Sequence, residues 1–191
     1  MPPKVKTTRE EILCAAFKLT RERGWESVNA RSISHEIGCS TQPIYRVFEN
    51  MSTLKTALYA SVEQYYNQYI ISQLDKERMF RSVGVSYIHF AEDEPNLFKM
   101  LFMTDKFKVK SLMEMIESDE DTELAAVIAR SEKLSIDEAK TLYVETWLFT
   151  HGIASMVATN SCSLEEDEIQ KLLSDAYLGF LGQIKKKENK L

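Results

Sequence analysis

Residues 29–48, NARSISHEIGCSTQPIYRVF, constrain the fold more than any other part of the chain, because they predict two short helices joined by a tight turn. Asn29 is positioned to cap the first helix, since its side-chain oxygen can accept an unsatisfied amide hydrogen of the opening turn. Gly38 breaks that helix. Ser40 is positioned to cap the second helix, and Pro43 falls within its first turn, where a fixed φ and a missing amide hydrogen cost nothing. The pattern predicts a helix-turn-helix.

The second predicted helix has one apolar face and one polar face. Its apolar side chains, expected in the core, are Ile44, Val47 and Phe48. Its outward polar side chains are Thr41, Gln42 and Arg46. Gln and Arg make bidentate hydrogen bonds with the edges of adenine and guanine, and a helix-turn-helix places its second helix in the major groove. The stretch therefore indicates double-stranded DNA as a partner.

The segment before this motif predicts a longer helix and part of the core. Thr8 and Glu11 form a capping box that opens an amphipathic helix, and Gly24 ends it. Trp25 and Val28 are predicted to pack beneath the helix-turn-helix as core residues. The N-terminal 50 residues are therefore expected to hold three helices.

The chain resembles the tetracycline-repressor (TetR) family of transcriptional regulators over residues 7–59. The resemblance rests on the amphipathic first helix and on residues that follow in the family's order: Gly24, Ile33, Gly38, Ser40, Tyr45 and Phe48. The Gln-Pro-Ile-Tyr run at residues 42–45 resembles one subset of the family. Trp147, His151 and Gly152 resemble a Trp-His-Gly signature of some TetR ligand domains.

This resemblance implies an all-α fold in two parts. Residues 1–50 would form a three-helix DNA-binding domain, and residues 51–191 a helical effector-binding and dimerisation domain. The implied DNA-contact residues are Arg31, Ser40, Thr41, Gln42, Pro43, Tyr45, Arg46 and Lys55. Many members carry a phosphate-binding lysine at the start of the fourth helix, where this chain has Met51. Lys55, one turn further on, is the candidate replacement.

The fourth helix is predicted from about residue 51 to residue 74, and the middle of the chain divides into shorter helices at residues 82–94, 95–104 and 110–118. Aromatic and methionine side chains there could form ordinary core, or could line a cavity for an apolar molecule. The resemblance favours the cavity and implies a small hydrophobic or amphipathic effector. The candidate effector-binding residues are Tyr66, Tyr87, Phe90, Phe102, Met103, Met113, Trp147 and His151.

The last two predicted helices indicate a homodimer. Ser135 with Glu138 opens the first, which runs to about residue 159, and Ser163 with Glu166 opens the second, which runs to about residue 187. The second helix has a wide apolar stripe, and its glycines at 179 and 182 would allow another helix to approach closely. Two such helices from each subunit suit a four-helix interface.

Charge is divided unevenly along the chain. Residues 1–60 hold nine Lys or Arg and six Asp or Glu, a balance of +3, whereas the remainder holds 15 and 23, a balance of −8, giving −5 for the whole chain. An acidic body would orient the basic end toward DNA. A random fluctuation would give a similar excess, so the charge supports the helix-turn-helix only as a secondary indication.

Composition predicts a cytoplasmic protein. Three cysteines without a C-x-x-C pair are typical of a reducing compartment, and the first ten residues lack the apolar run of a secretory signal. Residues 146–164 carry no charge, but polar side chains interrupt them. Burial between protein helices suits that segment better than a membrane does.

The sequence predicts no enzyme, cofactor or metal site. His35, His89 and His151 are scattered, and no metal-binding or nucleophile motif is present. An acid–base pair of His151 with Glu145 or Tyr143 is disfavoured because such spacings do not share a helix face. Carboxylates at residues 117–123 lack the spacing of a cation site.

We therefore predict a ligand-responsive transcriptional regulator, a repressor released by its effector from a palindromic DNA operator. The alternative is a helical dimer that binds a ligand or a protein without recognising DNA. Met51 favours this alternative, whereas Gln42 and Arg46 oppose it.

Overall fold

The computed structural model describes residues 7–75, 79–104 and 119–188, and these ranges contain helices and connecting turns but no strand. The helices are α1 (Arg9–Arg23), α2 (Ala30–Glu36), α3 (Gln42–Val47), α4 (Met51–Ser72), α5 (Met79–Asp93), α6 (Pro95–Phe102), α7 (Asp119–Glu132), α8 (Ile136–Ala158) and α9 (Glu166–Glu188). A 3-10 turn at Trp25–Ser27 joins α1 to α2. The predicted all-α fold is confirmed, while the helix predicted at 110–118, with Met113, lies outside the described residues.

Helix α1 begins and ends where its sequence predicts. The Thr8 hydroxyl accepts a hydrogen bond from the Glu11 amide, and the Glu11 carboxylate accepts one from the Thr8 amide, which completes the capping box. At the other end, Gly24 has φ +85°, a conformation that side-chain-bearing residues rarely adopt. The chain then enters the 3-10 turn, whose first residue, Trp25, is only partly buried. Val28, which follows the turn, is buried. The prediction that Trp25 belongs to the core was therefore wrong.

Helices α2 and α3 form the predicted helix-turn-helix. Asn29 caps α2 by accepting hydrogen bonds from the amides of Arg31 and Ser32, each at 3.0 Å. Gly38, with φ +68°, turns the chain after α2.

The predicted cap of α3 was wrong. Thr41, not Ser40, occupies the N-cap position, and no side chain caps the helix. A capping side chain requires an extended backbone at that position, whereas Thr41 already has helical dihedrals of −72° and −17°. Pro43 lies in the first turn as predicted.

The described residues form two compact units. The first unit comprises residues 7–72 and 90–104, and the second comprises residues 73–75, 79–89 and 119–188. Helix α5 contributes its last four residues to the first unit and the rest to the second. A functional boundary between residues 50 and 51 stays a prediction.

The core of the first unit lies between α1, α4 and α6. One face of α4 is fully buried at Leu54, Leu58 and Val62, four residues apart. The apolar side chains that α1 and α6 bury are Ile12, Ala15, Ala16, Leu19, Leu97, Phe98, Met100 and Leu101. Helix α1 also contacts α2, so the helix-turn-helix is anchored to this core.

In the second unit, α8 packs against both α7 and α9. The capping box of Ser135 and Glu138 opens α8 as predicted. Helix α9 begins at Glu166, and the Glu165 carbonyl accepts hydrogen bonds from the amides of Glu168 and Ile169. Ser163 therefore lies outside the helix, and its predicted capping role was wrong.

A hydrophobic cluster joins these helices. Its buried residues are Ile128, Ala129, Leu134, Ala139, Leu142, Leu181 and Ile184. None of the helices in the described ranges combines the length and apolar character required to cross a bilayer.

Candidate nucleic-acid interface

Helix α3 exposes a polar face to solvent, and buried apolar residues on its other face hold it in place. Ile44 and Phe48 are 1% and 2% exposed, so they fasten the helix to the first unit. On the opposite face, Gln42 and Arg46 are exposed, and Tyr45 is 51% exposed. An exposed tyrosine ring between two long polar side chains offers hydrogen-bond donors, an acceptor and a flat apolar surface. Thr41 and Pro43 are partly exposed, and Ser40 is exposed.

Arg31 occupies the first turn of α2, where its side chain is exposed. Its carbonyl accepts a hydrogen bond from the Ser34 hydroxyl at 2.9 Å. Two residues later along α2, Ile33 is completely buried. Arg31 thus stands on a helix that is anchored to the core, with its guanidinium available to an anion.

Lys55 lies on α4 and contacts an aromatic ring. Its ammonium is 4.5 Å from the centroid of the Trp25 ring, and both side chains are partly exposed. Met51 begins α4 and supplies no charge. Asn50, just before it, accepts a hydrogen bond from the Thr53 amide at 2.9 Å and so satisfies part of the opening turn.

Two cationic side chains of α1 contact residues of the helix-turn-helix. The Arg9 guanidinium lies over the Phe48 ring at 5.3 Å from its centroid, which connects α1 with the end of α3. The Lys18 ammonium pairs with the Glu36 carboxylate of α2 at 2.5 Å. This pair raises the pKa of Lys18 and lowers the pKa of Glu36, mainly through their hydrogen bond.

A buried carboxylate joins α1, α4 and α6. Glu94 is 3% exposed, and it accepts hydrogen bonds from Nε of Arg21 at 2.7 Å, from Nη2 of Arg21 and from the Tyr65 hydroxyl at 2.9 Å. The Arg21 carbonyl in turn accepts a hydrogen bond from the side-chain amide of Asn96 at 3.0 Å. The hydrogen bond to Glu94 raises the pKa of Arg21, and burial is the main cause of the raised pKa of Tyr65.

Sequence reasoning missed this cluster. Glu94 occupies the cap position before Pro95, so the sequence marks only a break between two helices. The one available signal is a glutamate next to an apolar run, and that signal does not identify its partner.

Four of the predicted effector-binding residues lie in the first unit. Tyr66 packs edge-on against Phe90 and Phe102, each with ring centroids 5.1 Å apart. Phe90 is completely buried and also contacts Tyr69 at 5.2 Å, whereas Met103 is 45% exposed. The rings thus fill space between α4, the end of α5 and α6.

Three others meet in the second unit. The Tyr87 hydroxyl is 2.9 Å from Nδ1 of His151, and the Trp147 ring stacks on the His151 ring with centroids 4.9 Å apart and an interplanar angle of 11°. The Ser155 hydroxyl is 3.3 Å from Nε2 of His151. Burial lowers the pKa of His151, so the neutral imidazole is favoured at neutral pH.

No three His, Cys, Asp or Glu residues in the described ranges are grouped so that they could hold a metal ion. A surface cavity of about 410 Å³ lies on α1 and α4. Its lining residues are Arg9, Glu10, Leu13, Cys14, Phe17 and Ser61, and none of them is a predicted effector contact.

Comparison with known proteins rests on structure. No family model matches the chain, and no curated protein matches its sequence. Among solved structures, the chain is similar to one described as a TetR-family transcriptional regulator from Vibrio parahaemolyticus, with a TM-score of 0.60 and 15% identity. The similarity covers 90% of this chain and 97% of that one. The chain therefore has the fold of a TetR-family transcriptional regulator.

Proposed function

We propose that the chain is a DNA-binding transcriptional regulator of the TetR type. The observation that carries the proposal is the exposed polar face of α3, where Gln42, Tyr45 and Arg46 stand on a helix anchored by Ile44 and Phe48. A helix-turn-helix uses such a face to reach base edges in the major groove. The TetR-like fold agrees with this role.

The exposed residues divide into two roles. Gln42 and Arg46, with Thr41 beside them, contact base edges or the flanking phosphates, because their side chains match the donors and acceptors of purines. Tyr45, Arg31 and Lys55 contact the phosphate backbone, which fixes the position of α3 in the groove. Ser40 and Pro43 bring the backbone at the start of α3 close to the DNA.

We further propose a homodimer formed by α8 and α9. Large apolar side chains on these helices stay exposed in the single chain, among them Leu148, Met156 and Leu178. A Cβ added at Gly152, Gly179 or Gly182 would meet nothing within 4 Å, so another subunit has room to approach there. Sedimentation equilibrium should give twice the monomer mass of 22.0 kDa.

Two-fold symmetry determines the form of the operator. The two copies of α3 would lie roughly 34 Å apart or a multiple of that distance, so the operator is a near-palindrome. The regulator acts as a repressor in the cytoplasm and leaves this operator when the effector binds.

The effector is a small hydrophobic or amphipathic molecule. Each unit holds one candidate cluster for it. In the second unit, Trp147, His151 and Tyr87 supply stacked rings and hydrogen-bonding groups. In the first unit, Tyr66, Phe90, Phe102 and Met103 supply apolar surface. To release the operator, the effector must bind the DNA-incompetent state more tightly, typically by about 1–3 kcal/mol of coupling free energy.

Selection from a library of random DNA duplexes tests the proposal. Purified protein should enrich a near-palindromic sequence over successive rounds, with half-sites about one helical turn or a multiple apart. A failure to enrich any sequence, while the protein is folded and dimeric, would favour a ligand- or protein-binding module without specific DNA recognition.

A further inference from the structure

We propose that Trp25 is a positioning residue for DNA binding, because its indole ring holds the Lys55 ammonium ready for a phosphate. The proposal rests on the DNA-binding function proposed above. It assigns a role to a tryptophan that lies outside the helix-turn-helix helices and reads no base.

The contact brings together two separate parts of the first unit. Trp25 lies on the 3-10 turn that connects α1 to α2, and Lys55 lies in the second turn of α4. The ammonium is 4.5 Å from the ring centroid, within the range in which the negative face of the ring attracts a cation. Lys55 is the one charged residue of the sequence between residues 50 and 62, so the start of α4 has no other cation to offer a phosphate.

Whether the charge of Lys55 is available to a phosphate depends on the residue that Lys55 contacts. Lys18 and Arg21, two other cations of the first unit, pair with the carboxylates of Glu36 and Glu94. A carboxylate neutralises the charge of its partner, and a phosphate would have to displace it. An aromatic ring carries no net charge and occupies one side of the ammonium, so the positive charge and the remaining N–H donors stay available.

The ring also restricts a flexible side chain before DNA arrives. Lysine has four rotatable side-chain bonds, and ordering them on binding costs conformational entropy. A lysine that already rests against a ring loses less freedom when it meets a phosphate, which strengthens binding. Trp25 would therefore act through Lys55 and not through a contact of its own.

A purely structural role makes a different prediction. In that case the lysine stem only covers the apolar ring, and loss of either side chain lowers stability without changing the number of phosphate contacts. The dependence of DNA affinity on salt separates the two roles, because each phosphate neutralised by the protein releases about 0.9 counterion.

The experiment compares wild type with Lys55→Met, Trp25→Leu, Trp25→Phe and the double variant Trp25→Leu/Lys55→Met. Affinity for a duplex enriched by selection is measured by fluorescence anisotropy across a salt series, and thermal unfolding verifies that each variant is folded. Lys18→Met is the matched control, since it removes a lysine charge that is already paired with a carboxylate.

Lys55→Met should reduce the slope of log affinity against log salt by about 1, whereas Lys18→Met should leave the slope close to that of wild type. Trp25→Leu should weaken binding roughly two- to fivefold at low salt, and Trp25→Phe should retain most of the affinity because a ring remains. In the Lys55→Met background, Trp25→Leu should cause no further loss.

Two results would overturn the proposal. If Trp25→Leu weakens binding as much without Lys55 as with it, Trp25 does not act through the lysine. If Lys55→Met keeps the wild-type slope, Lys55 binds no phosphate. In both cases wild type still binds its duplex, so DNA recognition by α3 stands, and only the second result removes Lys55 from the proposed phosphate contacts. A wild type that binds no duplex specifically would overturn the proposed function as well.

Discussion

Helix α3 and the second unit expose their candidate functional residues in opposite ways. In the first unit, Gln42 and Arg46 project from a short helix, and what lies beneath them is apolar and buried. In the second unit, the hydroxyl of buried Tyr87 contacts the partly buried His151 ring, and Trp147 stacks on the same imidazole. The first arrangement presents side chains to a large partner, whereas the second suits a small molecule that must displace or join existing contacts.

Because of this difference, some substitutions separate function from folding and others do not. An exposed side chain such as Gln42 can be removed with little effect on stability, so loss of binding is attributable to a lost contact. Phe90, a candidate effector residue of the first unit, is completely buried and belongs to the packing, so its loss affects folding before it affects a ligand.

Phe90→Ala should lower the free energy of unfolding by about 3–5 kcal/mol, because it removes a completely buried ring that packs against Tyr66 and Tyr69. Phe102→Ala is the matched control: its ring also lies 5.1 Å from Tyr66 but is only partly buried, so the loss should be smaller. Urea unfolding followed by circular dichroism measures both. Equal and small losses would show that this aromatic cluster is loosely packed, as an open effector site would be.

Arg21→Met should lower the free energy of unfolding by roughly 2 kcal/mol, since Glu94 would remain buried without its guanidinium. The expected loss is below that of a fully buried ion pair because the Arg21 side chain is 54% exposed. Lys18→Met removes an ion pair on the same helix in which the lysine is exposed, so it should change stability little. If the two variants were equally stable, Glu94 would not be a structural link between α1, α4 and α6.

The smallest effect concerns pH in the second unit. Burial lowers the pKa of His151 below its usual 6.5, so the unfolded chain takes up a proton more readily than the folded one. The stability contributed by the neutral ring is complete above pH 6.5 and is lost as the pH falls through the folded pKa. Thermal midpoints of wild type should therefore decline below pH 6.5, and His151→Gln should reduce that decline.

A second histidine provides the control for this measurement. His89 contacts Glu166 of α9 at 2.8 Å and is not a member of the stacked pair, so His89→Gln should retain the decline that is due to His151. If His89→Gln abolished the decline and His151→Gln did not, the stacked pair would not control the pH response.

Local patterns in the sequence predicted the helices well but did not predict the long-range contacts. Thr8, Asn29 and Ser135 cap helices as predicted, since each bond joins residues at most three apart. Ser40 and Ser163 failed because the backbone starts each helix later than the motif indicates. Composition and motifs do not show which side chains meet when their residues are far apart in the sequence.

In the candidate sites too, the sequence predicted local features and missed contacts between distant residues. Exposure of Gln42 and Arg46 follows from the period of a single helix, so the sequence predicted it. The bond from Arg21 to Glu94 joins residues 73 apart, and the contact of Lys55 with Trp25 joins two different elements. The stacking of Trp147 on His151 is local to α8, but the Tyr87 hydroxyl that completes the cluster comes from α5.

The most direct test of DNA recognition by α3 is the affinity of wild type and Gln42→Ala for the selected duplex and for a scrambled duplex at several salt concentrations. Gln42 is exposed, so the variant should unfold at the wild-type temperature. Loss of a bidentate base contact should weaken specific binding by about 1–3 kcal/mol and leave binding to the scrambled duplex unchanged. Unchanged affinity of Gln42→Ala for the selected duplex would contradict the assignment of α3 as the helix that reads the bases.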